Sequence, residues 1–296
     1  MRYAFALLAA AQLAIGAAAI FARFALAGGG PIAVSALRLL VAALPMGIVA
    51  ARRGAYARID APTERRLVWA GFALALHFGC WIASLRYASV AVSTLLVCTT
   101  PIWTEAFAVV RTRRVRGTVL ASIACALAGV AIVVGAPAKS ETPLGIGLAL
   151  AGAVAIAAYL LLVRAGDPRY GTLAIVARTY PIAACALIAA TVATRDPLPA
   201  LTNGSAWAGI WAMALISQLF GHTALNAAVR RLSATFVATV TLIEPAVAGL
   251  LAAAIFAERL APATLTGGLV VLAGIAIAVR AEAGNSAVEA IGAATD

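Results

Sequence analysis

No polar stretch in this chain is longer than the fifteen residues from Arg52 to Arg66. That excludes a large extramembrane domain. A membrane-spanning helix takes about 20 apolar residues, and the apolar runs divide into ten segments of that order, near 3–27, 31–51, 67–87, 89–110, 118–136, 144–164, 172–194, 204–226, 233–256 and 262–282. Turn and charge signals separate them: Gly28-Gly29-Gly30-Pro31, Arg111 to Gly117, Pro137 to Pro143, Gly166-Asp167-Pro168, and Asp196-Pro197 with Pro199. Inside a bilayer each backbone polar group needs an internal partner, so single spans fold as helices. The composition agrees: 64% hydrophobic and 11% charged, with a mean hydropathy of +1.02, against roughly 45–50% and about 25% in soluble domains. The first run extends 20 residues from Tyr3 to Ala22, longer than a signal-peptide core of about 7–15. It is read as a retained helix. The expected fold is all-α, with ten transmembrane helices.

The net charge of +11 would suggest nucleic acid in a soluble protein. Here its distribution is a topology signal. Of 22 Lys and Arg, fifteen lie in connections on the N-terminal side, five lie on the other, and Arg38 and Arg178 fall within spans. Basic loops stay cytoplasmic, so both termini are expected there, with anionic lipid as the charge's partner and no nucleic acid. Cys80, Cys98, Cys125 and Cys185 sit in apolar runs without CxxC spacing, and the histidines are only His77 and His222. These predict no metal site, redox pair or haem. No cofactor is expected.

The chain repeats itself. Leu127-Ala-Gly-Val-Ala-Ile-Val-Val134 recurs as Leu272-Ala-Gly-Ile-Ala-Ile-Ala-Val279. A shift of 144 places Arg86 on Arg230, Ser89 on Ser233 and Pro101 on Pro245, and a shift of 140 places Arg38 on Arg178 and Ala18 on Ala158. The units are 1–140 and 141–283, followed by a short cytoplasmic tail at 284–296. Each holds five spans. Because five is odd, the second unit enters the membrane from the opposite side, giving the inverted repeat of alternating-access carriers, with substrate near the midplane between halves. Inverted repeats also build channels.

Leu242-Ile-Glu-Pro-Ala-Val-Ala-Gly-Leu-Leu-Ala-Ala-Ala-Ile-Phe-Ala-Glu-Arg259, with Gly267-Gly268 and the LAGIAIAV run after it, resembles the second repeat of the EamA-type carriers in the drug/metabolite transporter superfamily. Arg38 within Ser35-Ala-Leu-Arg-Leu-Leu resembles the arginine of their first repeat. The resemblance covers residues 5–282 and within the superfamily is most similar to the YddG-type amino-acid exporters. It implies a ten-helix carrier of the bacterial inner membrane exporting small metabolites, amino acids first. The first copy departs from the pattern in having Arg113-Arg114 where the second has Ala257-Glu258.

A charge near the bilayer centre is a functional hypothesis by default. Glu244 lies about twelve residues into the ninth span and precedes Pro245, a mid-depth helix break whose mate is Pro101. Paired interruptions point to the binding site. Glu244 would contact a substrate amine, carry a coupling proton, or hold the halves together. Arg38 and Arg178, each about seven residues into its span, are read as structural pairing groups, with a substrate carboxylate as the other reading. His77, Trp81 and Ser84 share a face of the third span, and Gln218, His222 and Asn226 a face of the eighth. The cavity candidates are His77, Trp81, Gln218, His222 and Glu244, joined by Trp103, Thr100, Tyr159 and Gln12; Thr94, Thr239, Thr241 and Tyr180 rank behind them. Pro101 and Pro245 are the hinges.

No P-loop, nucleophile–base pair or carboxylate pair is present in the sequence. A secondary transporter, and not an enzyme, is therefore expected: an exporter of aromatic or neutral amino acids, monomeric or loosely dimeric. A drug or other-metabolite exporter is the alternative, and a channel or an intramembrane lipid-processing enzyme the different-class rival.

Overall fold

The computed structural model describes residues 2–55, 59–88, 90–134, 142–166, 169–256 and 262–295. Ser89, Asp167-Pro168, Arg58, Lys139, Pro137, Ala257-Glu258 and Arg259, used in the sequence reading, lie outside them. The described residues form helices and connections without strands. Ten spans result: α1 (Arg2–Gly16 continued by Ala18–Leu26), α2 (Pro31–Arg52), α3 (Ala61–Ser84), α4 (Val90–Val97 and Thr100–Thr112) and α5 (Gly117–Val134) form the first five. The second five are α6 (Pro143–Arg164), α7 (Thr172–Thr194), α8 (Gly204–Ala212, Met213–His222 and Thr223–Val229), α9 (Ala234–Val240, Thr241–Ile243 and Glu244–Phe256) and α10 (Pro262–Thr295). α10 runs on without a break through the segment read as a tail.

Six helices are each long and apolar enough to cross a bilayer unaided, and Gly117–Ile132, Ala234–Ala248 and Thr266–Ala281 are shorter apolar stretches. α4, broken in two and carrying Glu105 and Arg111, is the span that hydropathy supports least. Many large apolar side chains face outward, among them Leu13, Leu44, Leu76, Val192 and Leu269. In water such a surface would aggregate; in lipid it is the solvent-facing surface.

Local signals set the ends. Asp60 caps α3 by accepting from the Thr63 N–H at 2.9 Å, Thr142 caps α6 from Gly145 N–H at 3.1 Å, and Ser233 caps α9 from Phe236 N–H at 3.2 Å. Side-chain oxygens here satisfy the orphan donors of a first turn. Asp196, from the α7–α8 connection, instead caps a helix of the other repeat: its Oδ2 accepts from Ile32 and Ala33 N–H at 2.8 and 2.9 Å.

The packing has a two-fold pattern. α1 packs on α8 and α6 on α3; α2 packs on α8 and α7 on α3; α2 meets α7, α4 meets α9 and α5 meets α10. Exchanging each helix for the one five places on returns the same set. Five-helix units related this way are inverted relative to each other, because an odd number of crossings reverses direction. In the α5–α10 seam Gly129 and Gly274, matching positions of the two LAG motifs, let the helices touch backbone to backbone. A Cβ at Gly129 would lie 2.5 Å from Val271 N, and one at Gly274 2.6 Å from Ala126 N.

Ties between the repeats frame the bundle. At the end holding the α2–α3 and α6–α7 connections, Arg169 and the Tyr170 hydroxyl each donate to Asp60 Oδ2 at 3.1 Å, and Arg66 donates to Ala165 O at 2.7 Å. The Thr63 N–H bond, with Tyr170 and Arg169 adding to it, holds the Asp60 carboxyl below its ordinary value. At that same end buried Glu105 of α4 pairs with Arg116, and Thr235 of α9 donates to it at 3.4 Å.

Candidate substrate cavity

Pro101 and Pro245 break their helices at matching places. Proline has no N–H for the carbonyl four residues back, here Val97 and Thr241. α4 is interrupted at Cys98-Thr99, and α9 tightens into a 3-10 turn at Thr241–Ile243. The freed carbonyls are satisfied differently. Thr100 Oγ1 donates to Val97 O at 2.7 Å, whereas Glu244 N–H donates to Thr241 O. The 144-residue shift makes Thr100 and Glu244 mates, a hydroxyl before one proline and a carboxylate before the other.

Both face one cavity. Its volume is about 60 Å³, taken as the space open to the centres of water molecules, where a water needs at least roughly 10–15 Å³. It therefore holds a few waters and must widen for a metabolite. The first repeat contributes His77, Phe78, Trp81, Thr94, Cys98 and Thr100, and the second contributes His222, Thr241 and Glu244, with Ile15, Ile156, Leu160 and Leu225 between them. Glu244 is half-buried and makes no ion pair among the described residues. Among the described residues it is the one acidic side chain on the wall.

The α3 wall is aromatic. His77 and Trp81 lie nearly parallel, centroids 6.1 Å apart at 9°. His77 Nδ1 is 2.9 Å from Gly152 O; a carbonyl only accepts, so this nitrogen carries a proton. Phe78 meets the His222 ring edge to face at 5.1 Å. Phe78 and Cys98 are wall residues that the sequence reading did not place there; one stripe cannot reveal the neighbours that share its flank.

The remaining candidates sit elsewhere. Met213–His222 is π-helical, each turn taking in one residue more than in an α-helix. His222 consequently lines the cavity while Gln218, four residues earlier, faces α2: its Oε1 accepts from Arg38 Nη2 at 2.8 Å. Asn226 accepts from the Tyr159 hydroxyl at 2.8 Å, behind the wall. Trp103 is 38% exposed and donates to Thr99 Oγ1 at 3.2 Å. Gln12 is buried, and neither of its amide atoms has a partner among the described residues. Arg178 pairs with Glu64 of α3 at 3.0 Å, joining the repeats. Arg38, fully buried, has no acid: its guanidinium lies 4.0 Å over the Phe78 ring.

Among the described residues no group of three or more His, Cys, Asp or Glu is placed to hold a metal. No curated protein matches the chain in sequence. A solved crystal structure, described only as that of a protein, is similar to it with a TM-score of 0.79 at 19% identity, covering 94% of this chain and 97% of that one. At that identity the likeness speaks to fold alone, and the fold is the same. The EamA-like transporter family matches residues 2–135 and again residues 143–280, the two halves that the packing relates. The chain therefore belongs to the EamA-like transporter family, within the drug/metabolite transporter superfamily.

Proposed function

We propose that this chain is a secondary carrier that exports small metabolites, aromatic or neutral amino acids first among them, by alternating access across a bacterial inner membrane, with both termini cytoplasmic. The observation that carries the reading is a cavity between the repeats, set where α4 and α9 are both broken and walled by Glu244 opposite stacked aromatic rings. Paired helix breaks at corresponding places of an inverted repeat mark the place where such carriers bind solute. A carboxylate without an internal partner suits an ammonium group. The parallel His77 and Trp81 rings, with Phe78 beside them, suit an aromatic or neutral side chain.

The test is counterflow in proteoliposomes with a panel of labelled amino acids and a cationic dye. Exchange of aromatic or neutral amino acids supports the reading. Exchange of the dye alone transfers it to drug export, which the mostly apolar wall favours because few buried polar groups are left unpaired when the ligand changes. If Glu244 carries the coupling proton, Glu244→Gln abolishes transport driven by a pH gradient while counterflow persists. An unaltered pH dependence ends that assignment.

A further inference from the structure

Arg38 is a fully buried charge with no counter-ion among the described residues. It is 0% exposed, and its one hydrogen bond goes to a neutral amide, Gln218 Oε1. Among the described residues Nε and Nη1 have no partner. A buried charge is tolerated when paired and hydrogen-bonded, and is costly otherwise. Its mate Arg178 meets that requirement through Glu64; Arg38 does not. The surroundings repeat the imbalance. Gln218 Nε2 also lacks a partner, as does His222 Nδ1. Guanidinium and amide nitrogens are donors only, so the cluster has donors in excess and lacks an acceptor with more than one lone pair and a negative charge.

The cluster adjoins the cavity. Phe78, on whose face Arg38 lies, and His222, which abuts Phe78, are both cavity-wall residues. One aromatic side chain separates the guanidinium from the solute space. We propose that Arg38, with Gln218 beside it, is the anion-holding subsite of this cavity, receiving the carboxylate of the transported solute past Phe78 and His222. Resting on the carrier reading above, this names the substrate class: Glu244 on α9 takes the ammonium, Arg38 on α2 the carboxylate. The cavity is thus matched to a zwitterion.

The experiment measures binding of L-phenylalanine, its methyl ester and 3-phenylpropionate to the full-length protein in nanodiscs, in wild type, Arg38→Gln and Gln218→Glu. Wild type is expected to favour the acid over the ester by about ten- to a hundredfold, the range of a hydrogen bond to a charged group. In Arg38→Gln the two should bind within about threefold of each other, as the charge-assisted bond is gone. Gln218→Glu covers the case in which Arg38→Gln does not fold. It supplies an internal counter-ion where the amide now sits, so it preserves the fold yet loses the acid preference. Were Arg38 only structural, Gln218→Glu would keep that preference, and this result overturns the proposal. Binding of 3-phenylpropionate but not phenylalanine in wild type retires the amino-acid reading and leaves the subsite standing. Equal binding of acid and ester, or binding of none of the three, refutes the subsite. Displacement of the acid by chloride at equal concentration assigns Arg38 to an inorganic anion instead and overturns its role toward the solute.

Discussion

The α5–α10 seam gives the sharpest structural prediction. At Gly129 an added Cβ would stand 2.5 Å from Val271 N and 2.7 Å from Gly267 O, where ordinary contact begins at 3.4 Å. Both atoms are backbone, so no side chain can swing aside. Gly129→Ala therefore requires the helices to part by nearly an ångström. A gap of roughly 0.5–1 Å forfeits a quarter to a half of the dispersion energy of the atoms lining it, and Ala126, Val130 and Val271 all line this one. The expected loss is about 1–3 kcal/mol, typical of overpacking. Gly268, on the same helix α10, has nothing within 4 Å of its Cβ position. Gly268→Ala should instead gain about 0.5–1 kcal/mol, because alanine gives up less backbone freedom in a helix. Thermal melts of the detergent-solubilised variants compare the two directly. Gly129→Ala should melt below wild type and Gly268→Ala at or above it. Equal melting of the two variants would refute the backbone-contact argument.

Other consequences follow from the same packing. Because the Asp60 carboxyl titrates below its ordinary value when folded, its stabilisation is present above the unfolded value and is lost as pH falls through the folded one; the melting gap between wild type and Asp60→Ala should close on acidification, and a constant gap counts against the cap. Thr100→Val removes the hydroxyl from the Val97 carbonyl and should cost about 0.5–1.5 kcal/mol, seen as a lower melting temperature; an unchanged melt shows that the hydroxyl is not needed there. Glu105→Gln weakens the tie of α4 to Arg116 and α9. In a variant keeping only Cys98, which lines the cavity, an impermeant thiol reagent applied from the side of the α4–α5 connection should label it severalfold faster. Labelling at the wild-type rate removes Glu105 as a latch.

Much of this was legible before folding. The span positions followed from apolar run length, and the breaks in α4 and α9 from Pro101 and Pro245, since a missing N–H acts wherever the helix lies. The pairing of repeats followed from the 144-residue offset, which also aligned Thr100 with Glu244. What escaped was set by partners distant in sequence. Gln218 reads as a cavity residue at α-helical spacing, but the π-helical turn through Met213–His222 turns it to Arg38, 180 positions away. In the sequence Glu105 is an acid at a span end, close to the arginines between Arg111 and Arg116. It is buried because α9 lies across it, and no local spacing encodes that.

Two identical halves would leave an empty carrier facing inside and outside in equal measure, since each state would be the mirror of the other. Glu105 breaks that equality: it ties α4 to Arg116 and α9, and the 144-residue offset sets Gly249, a residue without a side chain to make such a tie, opposite it. Every 1.4 kcal/mol by which such a bolt favours one facing state multiplies the idle population on that side about tenfold. On the carrier reading, one carboxylate thereby biases where the vacant transporter waits.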